Sequence, residues 1–295
     1  MENNTVLELS EKFRKGLVNR RDFIRKVILS AGGVAAASQV LSQMGFDAGL
    51  VNEVKAQVKG IVTEDVTFPS GDQAIPAFLA KPVGEGPYPT MIVISEIFGL
   101  SDFIKNVARM FAENGFLALA PCFSEAGCRL PDDKHAEWMM ETMETGVAGV
   151  PVSEQVKLLN AFNWLALRAD VDATHIASVG FCWGGARSFT FATINPKLWA
   201  AIVFYGSTPP LDTLAQINCP VHAFYASTND INPNGITDRA TLTARTMNMA
   251  GRRFEWEVLA RSAHGFFRAA DQSIAQTPAA WTAQWLMFDF LGRYY

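Results

Sequence analysis

The chain has 295 residues, 49% of them apolar and 18% charged, with a formal net charge of -4. This size and composition suit a folded protein with a large core and exclude wholesale disorder. No basic stripe lies beyond the N-terminus, which argues against nucleic-acid binding, and no apolar run after residue 50 is long enough to cross a bilayer.

The first fifty residues stand apart. A polar stretch leads into Asn19-Arg20-Arg21-Asp22-Phe23-Ile24-Arg25-Lys26, and a mildly apolar, small-residue run from Val27 to Ala37 follows. Residues 1–26 hold seven basic and four acidic groups. A basic region, a weak apolar region and small residues, in that order, are the layout of an export signal. The segment resembles a twin-arginine signal, with Asn19 where such signals usually carry Ser or Thr. The expectation is that residues 1–50 direct the chain through export machinery to a bacterial periplasm or the cell exterior. The alternative is a cytoplasmic protein with a basic N-terminal helix.

From residue 61 the pattern becomes that of an α/β domain. Ile61–Phe68 and Ile75–Ala80 read as paired strands around the turn Pro69-Ser70-Gly71-Asp72, with Pro76 hinting at a sheet edge. Thr90–Ser95 and Phe116–Ala120 are continuous apolar runs, as expected of strands buried on both faces. Between them Ser101 caps a helix over 102–113. Residues 122–150 form a long excursion, and Ser153–Leu167 an amphipathic helix. Strands follow at Ile176–Val179, Trp199–Tyr205, Val221–Ala226 and Phe254–Leu259, with helices at 185–194, 237–249 and 278–291. In the last helix Trp281, Trp285, Phe288 and Leu291 form one stripe, read as core. Strands alternating with helices give an α/β three-layer sandwich with a mostly parallel sheet, preceded by a hairpin.

The stretch Gly180-Phe181-Cys182-Trp183-Gly184 lies between a strand and a helix. Small residues around one nucleophilic atom at such a turn are the content of a nucleophile elbow. Cys182 could also be a buried core cysteine. A thiol nucleophile needs a base. His264, in Ser262-Ala263-His264-Gly265-Phe266-Phe267, follows a strand at the carboxyl end of the sheet, where open α/β folds place their sites. His175 lies at the opposite end of its strand, His222 inside a strand, and His135 in the excursion. Asp230, after the strand Val221–Ala226, is the acid expected to orient the base, with Asp238 as the alternative. Glu96 ends a buried strand and should face the crevice. The N–H groups of Ile97 and Trp183 lie where an oxyanion hole is expected. The four cysteines, Cys122, Cys128, Cys182 and Cys219, match no usual zinc or iron–sulfur spacing, so no metal or cofactor is expected; Cys122 and Cys128 could bridge in an oxidising compartment.

With Glu96-Ile97-Phe98-Gly99, Gly180-Phe181-Cys182-Trp183-Gly184-Gly185 and His264-Gly265-Phe266, residues 58–293 resemble the dienelactone hydrolase family of the α/β-hydrolase superfamily. The resemblance implies a Cys182, Asp230, His264 triad with Glu96 holding the resting thiol. It implies hydrolysis of a small-molecule lactone or ester through a cysteine acyl-enzyme. It also implies a substrate carboxylate held by two arginines, Arg268 and, in a looser match, Arg129, whose other reading is a surface arginine. The chain departs from the family where Pro121-Cys122-Phe123-Ser124 stands in place of Pro-Glu/Asp-Leu-Tyr, and where Ser227-Thr228-Asn229-Asp230 stands in place of Gly-Gly-x-Asp. These departures leave open a general short-chain carboxylesterase on the same triad. A non-catalytic binding protein on the same scaffold is a further alternative.

Overall fold

The computed structural model describes residues 3–31, 34–47, 49–51, 60–123, 128, 152–228 and 236–295. Its centre is an eight-stranded sheet: β1 (Ile61–Ser70), β2 (Gln73–Pro82), β3 (Tyr88–Ile94), β4 (Leu117–Pro121), β5 (Val171–Phe181), β6 (Ala201–Phe204), β7 (Val221–Thr228) and β8 (Phe254–Ala263). The spatial order is β1-β2-β4-β3-β5-β6-β7-β8. The β1–β2 and β2–β4 pairs are antiparallel, and the other five are parallel. This is the mostly parallel sandwich expected, with the hairpin at one edge. Pro76 does not mark an edge, because β2 pairs with β1 on one side and β4 on the other. The β4 pairing begins at Ala77↔Pro121, one residue past Pro76, so the missing N–H costs that ladder nothing.

The helices are α1 (Asn3–Arg14), α2 (Arg20–Ser30), α3 (Val34–Gln43), α4 (Asp102–Glu113), α5 (Val152–Ala166), α6 (Trp183–Ile194), α7 (Ile236–Met249) and α8 (Pro278–Tyr294). Every residue of β3 is buried, and the strand serves both faces. Met91 and Val93 join the core under α4 and α8, while Ile92 and Ile94 join the core under α5, α6 and α7. Ser101 accepts a hydrogen bond from the Ile104 N–H and caps α4, as its position predicts. The stripe expected on α8 holds only in part. Phe288 and Leu291 are buried, but Trp281 is 54% exposed and donates to Gln276; Ala280, Ala283, Met287 and Phe290 complete the buried face.

The N-terminal helices bury Val6, Phe23, Ile24, Val27, Ile28 and Leu41 in a small core of their own, and α2 packs on α8. The twin-arginine signal read from Arg20-Arg21 gains no support from the fold, in which Val27, Ile28 and Ala37 of the run that would form its apolar core lie in this small core. No helix among the described residues is long and apolar enough to cross a membrane. His222 is a core histidine: it is 1% exposed, lies against Phe224 and Phe290, and burial pushes its pKa down to about 4.

Candidate active site

The site forms at the carboxyl end of the sheet, where β5 turns into α6. Cys182 sits at that turn with φ 56° and ψ -116°. A non-glycine residue there is a genuine outlier, of the kind that clusters at functional sites. Its backbone is pinned by a Cys182 N–H bond to the Phe204 carbonyl (2.9 Å) and an Ala186 N–H bond to its own carbonyl (3.2 Å). The glycines are needed by close approach. A Cβ at Gly180 would strike the Gly184 backbone, and one at Gly184 would strike the carbonyls of Ile94 and Ser95. So the ring of small residues does what the sequence implies: it lets α6 start directly against β3 and β5.

Glu96 follows β3 and is 3% exposed. Arg268 Nη1 donates to Glu96 Oε2 at 3.1 Å, and the guanidinium lies 4.3 Å from the centre of the Phe98 ring. Burial pushes the Glu96 carboxyl pKa up, against the opposing pull of Arg268 and of His264. Glu96 thus feels the charges of both Arg268 and His264, and the His264 ring lies 4.9 Å from that of Tyr205. Ile97 packs against the core that holds Trp183, itself 2% exposed at the first position of α6. Asp230 and Arg129 lie outside the described residues, as do His135 and most of the excursion. His175 is remote, bound to Asp172 and packed on Trp199 and Tyr295. Among the described residues no cluster of His, Cys, Asp or Glu could hold a metal ion.

Residues 75–295 match the dienelactone hydrolase family. The chain belongs to that family. A relative from Methylorubrum extorquens, provisionally named a carboxymethylenebutenolidase, is 29% identical over 237 residues, covering 77% of this chain and 79% of its own. One from Yersinia pestis with the same provisional name is 37% identical over 167 residues, covering 56% and 61%. A crystal structure from Klebsiella pneumoniae, provisionally described as a dienelactone hydrolase, superposes with TM-score 0.68 at 25% identity, covering 80% of this chain and all of that one.

Within this family assignment the expected cysteine-dependent reaction needs correction. Cys122 and Cys128 are joined in a disulfide. The Leu100 N–H bonds the Cys128 carbonyl and the Cys122 N–H bonds the Pro76 carbonyl, so the bridge sits beside the Glu96 loop. A disulfide persists in oxidising surroundings, where a partly exposed thiol is itself open to oxidation. That counts against a free-thiol nucleophile and an acyl-enzyme on it. Cys182 and Cys219 are outside the bridge, Cys182 half-buried at the elbow and Cys219 buried with its pKa pushed up to about 12. What fold and family support is a hydrolase of the dienelactone hydrolase family, with Cys182 marking the place of the elbow.

Two features of the site were not read from the sequence. Tyr205 closes β6 beside the elbow with φ 41°, fully buried; its signal was the Tyr-Gly step after the strand. Beneath the elbow, Arg187 pairs with Glu154 (3.4 Å) and covers the Trp183 indole at 4.1 Å, both partners buried. A charged residue on each of two helices gave no sign that they would meet.

Proposed function

We propose that this dienelactone hydrolase family member opens or cleaves a small-molecule lactone or ester that carries a carboxylate. The observation that carries the carboxylate is Arg268, a cation held at the pocket by Glu96 and Phe98. A guanidinium can grip a carboxylate by two parallel bonds. Hydrolysis needs a carbonyl held at the elbow, donors for the charge on its oxygen, and a group to move protons from water to the leaving alcohol. In this reading the N–H groups of Ile97 and Trp183 are the donors and His264 moves the protons. Asp230 orients His264, and Arg129 is a second carboxylate contact. Glu96 occupies Arg268 until a substrate carboxylate competes for it.

The test is a matched pair of substrates, a lactone with a carboxylate and its methyl ester. The native protein should prefer the acid. Arg268→Met should raise KM for the acid about tenfold or more, the scale of a lost charged hydrogen bond, and leave that for the ester within about threefold. Equal KM changes for both would remove the carboxylate from the reading. A general short-chain esterase would instead show no preference within the pair.

A further inference from the structure

Tyr205 bears two local costs at one residue. Its φ of 41° is strained for a bulky side chain. Its hydroxyl is sealed from solvent and its proton has no acceptor, a state that a folded chain seldom keeps. The Phe267 N–H acts on the phenol oxygen, but an N–H cannot accept the phenol proton, which is left without an acceptor. Nothing in the packing explains keeping an oxygen here, because the ring is surrounded by Phe181, Phe204 and Phe266 and a phenylalanine would fit.

What lies beside the ring supplies a reason. It is 4.9 Å from the His264 ring, and it follows the β6 residue that pairs with Phe181 of the elbow strand. Its phenol feels the charges of Glu96, Cys182 and Arg268 together. Burial, then the negative charges of Glu96 and Cys182, push its ionisation well above the ordinary range, so it stays a neutral donor at any working pH.

We propose that the Tyr205 hydroxyl is a hydrogen-bond donor reserved for the anionic oxygen of a ligand in this pocket, a further catalytic residue beside those above. In the ligand-free chain it has no acceptor. An oxyanion entering or developing there gains a donor already fixed in place, and strain at residue 205 aims it. Such preorganised donors act on charge that forms during the reaction, and removing one costs rate more than ground-state binding. The idea rests on the hydrolase reading for its substrate but not for its geometry.

Tyr205→Phe tests it, because the ring and its packing remain. The variant should melt no lower than the native protein, since an unpaired buried oxygen has been removed. Its kcat on an activated aryl ester should fall about 10- to 100-fold with KM within about threefold. Benzylphosphonate, a tetrahedral anion that needs no turnover, should bind about tenfold or more weakly by calorimetry. Unchanged benzylphosphonate affinity would overturn the proposal, whatever the catalytic result. So would a change confined to the titration of Glu96 in the ligand-free protein, which would place the hydroxyl on that carboxylate. If the native protein hydrolyses no ester or lactone while benzylphosphonate still discriminates the two proteins, the hydrolase reading falls and the Tyr205 donor stands.

Discussion

His264→Ala should lower kcat/KM for ester and lactone hydrolysis about 10³-fold, or about 4 kcal/mol of barrier, while the chain stays folded. Hydrolysis moves a proton from water to a departing alcohol, and the pocket needs one group that can both take and give it near neutral pH. Of the histidines described, only His264 lies with Glu96 and Tyr205. His222 is held neutral inside the core, and His175 belongs to a surface cluster at Asp172. His264 follows β8 on a turn with Gly265 at φ 81°, where Ala should be accommodated without disturbing the sheet. Rates on an activated aryl ester, with a thermal melt of the same sample, check this. A variant within about threefold of native activity would remove His264 from proton transfer.

Arg187→Ala should destabilise the fold by about 3–5 kcal/mol, because it strands the Glu154 carboxylate in the core. The pair lies between α5 and α6, with side chains 5% and 2% exposed. Lys157, on the same face of α5, donates to the Phe123 carbonyl, so the layer under the elbow is tied by charged groups from two helices. Urea melts of Arg187→Ala, Glu154→Gln and the double variant Glu154→Gln/Arg187→Ala measure the coupling. The double variant should cost less than the sum of its parts, since neither charge is left alone.

The pH dependence separates the two groups further. Burial raises the Glu154 pKa to about 7, against the pull of Arg187 and Lys157. Its folded value lies above its unfolded one, so the folded chain binds its proton first. This contribution to stability grows as pH falls from about 7 toward the ordinary carboxyl value near 4.5 and is lost as pH rises through 7. His222 acts oppositely, its value pushed down from 6.5 to about 4, so its contribution is lost as pH falls through that window. In the native protein the two offset. Glu154→Gln should therefore lose stability on acidification more steeply than the native chain, and a parallel pair of curves would contradict the burial assigned to Glu154.

The sheet was legible because its strands advertise it. Met91–Ile94 and Phe116–Ala120 are apolar at every position, as a strand buried on both faces reads. The elbow was legible for the same local reason, since Gly180, Gly184 and Gly185 have no other use than close approach of backbones. Features set by tertiary contact were not legible. Trp281 keeps the helical spacing of a core stripe yet is exposed. Pro76 suggested an edge that a third strand then covered. The apolar run after Arg20-Arg21 has the same composition whether it serves as a signal or packs on α8. The bridge between Cys122 and Cys128 was one of two open readings, because six residues of separation permit a disulfide without requiring one. Tyr205 escaped notice because its strain is a property of backbone angles that no residue type announces.

Alkali uptake at constant pH, on a carboxylate-bearing lactone before and after treatment with iodoacetamide, asks most directly whether this elbow is where hydrolysis takes place. Cys122 and Cys128 are bridged and Cys219 is buried with its pKa at about 12, so Cys182 is the thiol that takes the label among the four. The untreated chain should release acid from the lactone, and the added amide at residue 182 should block that release, with substrate slowing the labelling. Full acid release from completely labelled protein would place the reaction somewhere other than the turn between β5 and α6.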